Sequence, residues 1–192
     1  MVAGMEAGLW SEVFADLRRG RVSEEGEIAR AEDALGFPLP GSYRSFCREC
    51  GAGLAGGAIR VATPLPYPAA DLAARAEVIA HSIQAALALL DAPPAFAVEG
   101  DDPTVLERAC FFAEAEDGSF LFWDVAGTGE YDIWVLAPDL ETVRFGGESL
   151  DAFFRRVQGE GVRTVLGEAA EPLPSLFEGI EDAVLARGAE PA

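Results

Sequence analysis

The chain has 192 residues, enough for one sizeable core and short for two; half are apolar, with twelve Phe, three Trp and three Tyr, which excludes global disorder. No run reaches the roughly 18 uncharged apolar residues of a membrane span; the longest, Val78 to Leu90, is interrupted by His81, Ser82 and Gln84. Thirty-three acids against fourteen bases, every one an Arg, give a net charge of −19, a field that repels nucleic acid and anionic membrane surfaces and speeds encounter with basic proteins.

The opening residues, Met1 to Gly8, have neither the basic start nor the apolar run of a signal peptide. Three cysteines form an odd count and a poor disulfide framework. Both observations predict a cytoplasmic chain. The charge is uneven: residues 1–60 balance at −2 and 61–90 at −1, whereas 91–160 hold sixteen acids against four Arg, a balance of −12, and 161–192 balance at −4. Acidity alone has two readings, solubilising charge or a surface for a basic partner.

In chain order, Leu9, Trp10, Val13, Phe14 and Leu17 recur at helical spacing and predict a short helix ending near Gly20. Ser23 is placed to cap a second helix, with Glu24, Glu25 and Glu27 in its first turn, Ile28, Ala31 and Leu35 on its inner face and Gly36 as its left-handed stop. Pro40 suits the first turn of a third, with Tyr43, Phe46 and Cys47 inward and Gly51 at its end. Ala58 to Ala62 then reads as a strand, and Pro64, Pro66 and Pro68 keep the chain extended. Residues 70–90 return to helical period, with Leu72, Ala76, Ile79, Ile83, Leu87 and Leu90 on one stripe, until Pro93 and Pro94. An acidic loop runs from Glu99 to Pro103.

The second half changes to strands: Ala109–Ala115, Phe120–Val125, Tyr131–Leu136 and Thr142–Phe145, with Asp117-Gly118 at hairpin spacing between the first two. An antiparallel meander is the economical topology. Ser149 caps a following helix bearing Leu150, Phe153, Phe154 and Val157, and a final helix is predicted over Ser175–Ala186. The fold class is therefore α+β, an antiparallel meander sheet packed with N-terminal, inserted and C-terminal helices. It is one domain over 1–192, with a core at about 23–158 and a C-terminal helical extension over 159–192.

The run Ile28-x₃-Glu32-x₂-Leu35-Gly36-x₂-Leu39-Pro40-x₂-Tyr43-x₂-Phe46, followed by Gly51 and Gly53, resembles the opening signature of the SMI1/KNR4, or SUKH, superfamily. Asp117-Gly118, Phe122-Trp123-Asp124, Trp134, Gly147 and Ser149-Leu150-x₂-Phe153-Phe154 resemble its second half. Two departures are Cys50-Gly51-Ala52-Gly53, where Asn-Gly-Gly is often expected, and the sizeable 70–90 helix ahead of the meander. The resemblance implies an α+β sheet with helices packed on it and no common catalytic triad. It also implies that the chain is a bacterial immunity protein that neutralises a cognate polymorphic toxin, or a regulatory or scaffold interaction module without a toxin partner.

Side chains with chemical potential each have a plain structural alternative. Cys47-x₂-Cys50 has metal or redox spacing, but only Cys110 and His81 remain to complete a zinc set, so two packed thiols and no metal are expected. His81 stands in an Ala-rich helix without a nucleophile motif beside it, and Gly51 to Gly57 lacks the Lys and spacing of a phosphate loop. No enzyme and no cofactor are expected. Acids and an aromatic converge instead: Asp101, Asp102, Glu114, Glu116, Asp117, Glu130 and Asp132 are candidates to steer and rim a basic toxin domain. Strand alternation sets Asp132 and Trp134 on one face, opposite Tyr131, Ile133 and Val135. Trp134 is then either an anchor among carboxylates on an open face or a core residue.

Overall fold

The helical and alternating periods of the sequence become, in the computed structural model, helices on both faces of one mixed sheet; residues 8–188 are described. The segment 1–7, read above for a leader, and the last four residues of the extension lie outside the described residues.

Helix α1 (Leu9–Val13) is a single turn, shorter than its apolar spacing predicts, because the backbone at Phe14 turns extended to enter strand β1 (Asp16–Arg18). Trp10 and Phe14 nevertheless both reach the core, and the Trp10 indole donates to Ser45 Oγ at 2.7 Å. Helix α2 (Glu25–Leu35) is capped by Glu24 in reciprocal hydrogen bonding with Glu27, and Gly36 closes it at φ +83°. Ser23 does not cap it. Its buried hydroxyl donates to the Pro64 carbonyl at 2.7 Å, pinning the helix entrance to a distant loop. Helix α3 (Gly41–Glu49) buries Tyr43, Phe46 and Cys47 as predicted.

The glycine-rich stretch is itself structured, with β2 (Gly53–Ala55) turning into β3 (Ile59–Val61). Helix α4 (Leu72–Leu87) buries Leu72, Ala76, Ile79 and Ile83. The acidic loop joins a two-residue strand β4 (Ala97–Val98) to a single turn, α5 (Thr104–Glu107). Strands β5 (Ala109–Ala115), β6 (Phe120–Asp124), β7 (Ile133–Leu136) and β8 (Thr142–Gly147) pair antiparallel in sequence. Ser149 caps α6 (Leu150–Val157) by accepting from the Ala152 N–H. Helix α7 (Val162–Leu166) follows.

The C-terminal extension is not purely helical. Residues predicted to begin the last helix form β9 (Leu176–Gly179), and of the predicted Ser175–Ala186 helix only the part from Asp182 is helical, as α8 (Asp182–Gly188). Strand β9 lies between β1 and β2, so the order is β1-β9-β2-β3-β5-β6-β7-β8-β4. The β1–β9 and β4–β8 pairs are parallel, which corrects the all-antiparallel expectation to a mixed sheet whose middle is an antiparallel meander. Close approach demands glycine here: a Cβ on Gly53 would stand 2.5 Å from the Glu178 carbonyl oxygen, and one on Gly179 2.1 Å from the Gly20 nitrogen.

Two apolar layers result. On one face α1, α2, α3, α6 and α7 cover Phe112, Leu121, Trp123, Ile133, Val135 and Phe177. Phe112 and Trp123 stack at 4.1 Å between centroids, and Tyr43 meets Trp123 edge-on at 4.8 Å. On the other face α4 and α5 cover Phe111, Phe122, Leu136 and Val143. A bulge between Phe111 and Ala113 lets both Phe112 and Ala113 point to the first face, and it returns Glu114 to the second.

Candidate functional site

Of the sixteen acids in residues 91–160, two form ion pairs among the described residues: Glu114 with Arg75 at 2.6 Å, and Asp124 with Arg108 through two bonds of 2.6 and 2.8 Å. The seven acidic candidates do not share one surface. Glu114, Glu116 and Asp117 lie at the hairpin end of β5 and β6, whereas Glu130 and Asp132 lie in the β6–β7 loop at the opposite end of β6. The six steps along β5 separate these ends by roughly 20 Å. Asp101 and Asp102 occupy the β4–α5 loop beyond the β8 edge, Asp101 at φ +60°.

Several candidates are committed within the protein. The Asp102 carboxylate accepts from the Thr104 hydroxyl at 2.6 Å and its N–H at 3.0 Å, which holds its carboxyl below the usual range. Asp117 accepts from the Ser119 N–H at 2.8 Å, shaping the turn that Gly118 completes at φ +92°. Glu130 caps α3, accepting from the Ser42 N–H at 2.6 Å and hydroxyl at 2.8 Å. Asp132 has the reverse environment: partial burial, then the neighbouring carboxylates of Asp124 and Glu148, raise its carboxyl above the ordinary value.

Trp134 does not stand on an open face. The alternation holds, with Tyr131, Ile133 and Val135 buried on the first face, but α4 and α5 cover the second. Trp134 is half-buried there, edge-on to Phe145 at 5.5 Å, and Phe145 carries the Arg156 guanidinium 5.5 Å from its ring centre. The indole N–H is buried with no partner among the described residues.

Glu116 and Asp117 gain neighbours that sequence reasoning missed. The Glu116 N–H donates to the Ala58 carbonyl at 2.9 Å, fixing the hairpin end beside β3. The stretch after α7 folds back to this place, held by the Leu173 N–H on the Val157 carbonyl and by close packing of Leu173 on Gly56. Between them is an open pocket of about 400 Å³ with Ala58, Ile59, Leu166 and Leu173 in its apolar wall and Glu116, Asp117, Glu168 and Glu171 around it. None of the four carboxylates has an ion-pair partner among the described residues. Glu168 and Glu171 lie about fifty positions from the hairpin in a segment without period, so no local signal joins them to it.

The cysteine pair is structural in character. Burial pushes the Cys47 thiol up to about 12 and raises Cys50 further, and the partly exposed Cys110 also reaches about 12. Such thiols carry almost no thiolate at neutral pH. Among the described residues no group of three or more His, Cys, Asp or Glu is placed to hold a metal ion, and His81 is exposed on α4. No helix of the described residues is long and apolar enough to cross a membrane.

The model of the SMI1 / KNR4 family (SUKH-1) matches residues 23–156, from the entrance of α2 to the last turn of α6, more than two thirds of the chain. No curated protein sequence matches it. The matched span contains α2, α3 and the whole β5–β8 meander, and on that ground the chain belongs to the SMI1/KNR4 family (SUKH-1).

Proposed function

We propose that the chain is a non-catalytic, protein-binding member of this family, an immunity protein that neutralises a basic toxin domain. The observation that carries the reading is the pocket of Glu116, Asp117, Glu168 and Glu171. An apolar wall ringed by unpaired carboxylates suits the long stem and charged head of a partner's Lys or Arg, which buries its methylenes while its cation meets the rim. The remaining negative field, including Asp101 and Asp132, steers a basic partner toward the molecule and sets its approach rate more than its final affinity. Inhibition follows from covering the toxin's substrate groove and needs no chemistry from this chain.

Family membership supports the reading, since the family includes immunity proteins. The test is calorimetric titration of the full chain with the basic toxin domain encoded by the adjacent gene, alongside rescue of growth on co-expression. The paired variant Glu116→Arg with Glu168→Arg is expected to weaken the complex by about a hundredfold or more while the fold persists, since these side chains are solvent-facing. Absence of a complex and of rescue would refute the immunity reading. A complex indifferent to the paired variant would move the contact elsewhere. The regulatory or scaffold reading predicts a partner whose association rate is nearly independent of salt.

A further inference from the structure

A second pocket lies on the other face of the sheet, away from the acidic one. It is bounded by β3, β5, the first turns of α4 and the inner side of α8, and its volume is about 350 Å³, within the range of small-molecule sites. Its wall is apolar, with Ala62, Leu65, Ile79 and Leu185. Three features set it apart from an ordinary packing defect.

The first is charge. Arg60, Arg75 and Glu114 all line this pocket, so it is net positive in a protein of net charge −19. The second is an ion pair that leaves one cation over. Glu114 is the direct cross-strand partner of Arg60 in the β3–β5 register, yet its carboxylate is taken by Arg75 at 2.6 Å. Arg60 has no ion-pair partner among the described residues. The third is Thr63, which lines the pocket, is 1 % exposed, and has a hydroxyl without a hydrogen-bond partner among the described residues. A buried hydroxyl without a partner costs free energy that a bound acceptor or donor recovers.

We propose that this pocket binds a small apolar monocarboxylate. The ligand's carboxylate pairs with the Arg60 guanidinium, whose planar fork matches a carboxylate's two oxygens and whose charge is the one left over by the Arg75–Glu114 pair. Its apolar body occupies the space between Ala62, Ile79 and Leu185. A polar atom of the ligand within reach of Thr63 satisfies the orphaned hydroxyl. Helix α8 buries none of its own residues and is held by Asp182, which accepts from Arg21 at 3.2 Å and Tyr67 at 2.7 Å. A ligand against Leu185 therefore also tightens the attachment of α8. This site shares no lining residue with the acidic protein-binding pocket.

Octanoate is the probe, titrated into the full chain by calorimetry and followed by amide hydrogen exchange of α8. The expected result is saturable binding with increased protection of residues 182–188. Octanol and octylamine, with the same tail and no carboxylate, are expected not to bind. Arg60→Gln is expected to weaken octanoate by about ten- to a hundredfold, the worth of a charge-assisted hydrogen bond. Arg60 is exposed and unpaired, so this variant keeps the fold, and an unchanged thermal midpoint without octanoate verifies that. Absence of saturable binding, equal binding of octanol, or full affinity in Arg60→Gln would each overturn the proposal.

Discussion

Ser42 and Glu130, eighty-eight positions apart, are joined by two hydrogen bonds: the Glu130 carboxylate accepts the Ser42 N–H at 2.6 Å and the Ser42 hydroxyl at 2.8 Å. The same hydroxyl accepts the Leu150 N–H at 3.0 Å. One acid from the β6–β7 loop thus satisfies an orphan donor at the start of α3, and Ser42 passes the linkage to the start of α6. Three segments meet around Ser42, and through it Glu130 ties the helical layer to the sheet.

Glu130→Gln is expected to lower stability by about 1 kcal/mol, in the range of lost helix caps, and Ser42→Ala by somewhat more because it also orphans the Leu150 N–H. The double variant should cost less than the sum of the two. Urea unfolding of the four proteins measures this. Strict additivity would separate the two residues and return Glu130 to the pool of free surface acids.

Phe177 makes the segment after the matched family region indispensable. It is fully buried, 5.6 Å from Phe14 and 5.5 Å from Phe46 between ring centres, and β9 supplies the pairing for both β1 and β2. Phe177→Ala should cost about 3–5 kcal/mol. A chain stopped before Ser175 should lose cooperative thermal unfolding, because β1 and β2 lose their common neighbour. Retention of the full-length midpoint by that truncation would show β9 to be dispensable.

The legible parts of the fold are those where the pattern is long and punctuated. Helices α2, α3, α4 and α6 and strands β5 to β8 each have at least four residues in register with a period, and Gly36, Gly51, Asp117-Gly118 and Ser149 mark their ends. Strands β1, β2 and β4 span two or three residues, too few for alternation to register. Strand β9 was further masked because Leu176, Ile180 and Val184 fall four apart, the spacing of a helix face. Its conformation is decided by the gap between β1 and β2. The acidic block was legible as charge, but the fate of each acid was not. Whether Glu130 caps Ser42 or Glu114 meets Arg75 depends on contacts across 88 and 39 positions.

The cysteines offer a test of interior chemistry. With Cys47 and Cys110 raised to about 12 and Cys50 higher still, native protein at pH 8 should react with iodoacetamide far more slowly than a free thiol. All three should become reactive together in urea. Rapid modification of Cys47 and Cys50 in the folded state, counted by mass spectrometry, would reopen a redox role for the pair.

Two acids pull the pH dependence of stability in opposite directions. Glu27 is only 6 % exposed, and burial opposes its ionisation; the Arg21 guanidinium at 2.6 and 2.8 Å and the Glu24 N–H at 2.9 Å outweigh that cost and hold it below its ordinary 4.5. A carboxyl with a lowered folded value adds stability that is complete above the unfolded value and disappears as pH falls through the folded one. Glu27→Gln should therefore cost about 3 kcal/mol at pH 7, the scale of a broken buried pair, and progressively less below pH 4.5. Asp132 is raised above 3.8 by partial burial and by Asp124 and Glu148, so its ionisation disfavours the folded state at neutral pH. Asp132→Asn should raise the thermal midpoint at pH 7, and the gain should vanish below pH 3.8, where the native carboxyl is neutral in both states. Thermal midpoints of both variants between pH 3 and 8 measure the two trends. A destabilised Asp132→Asn at pH 7 would mean that Asp132 has a cationic partner in the folded protein and does not repel its acidic neighbours.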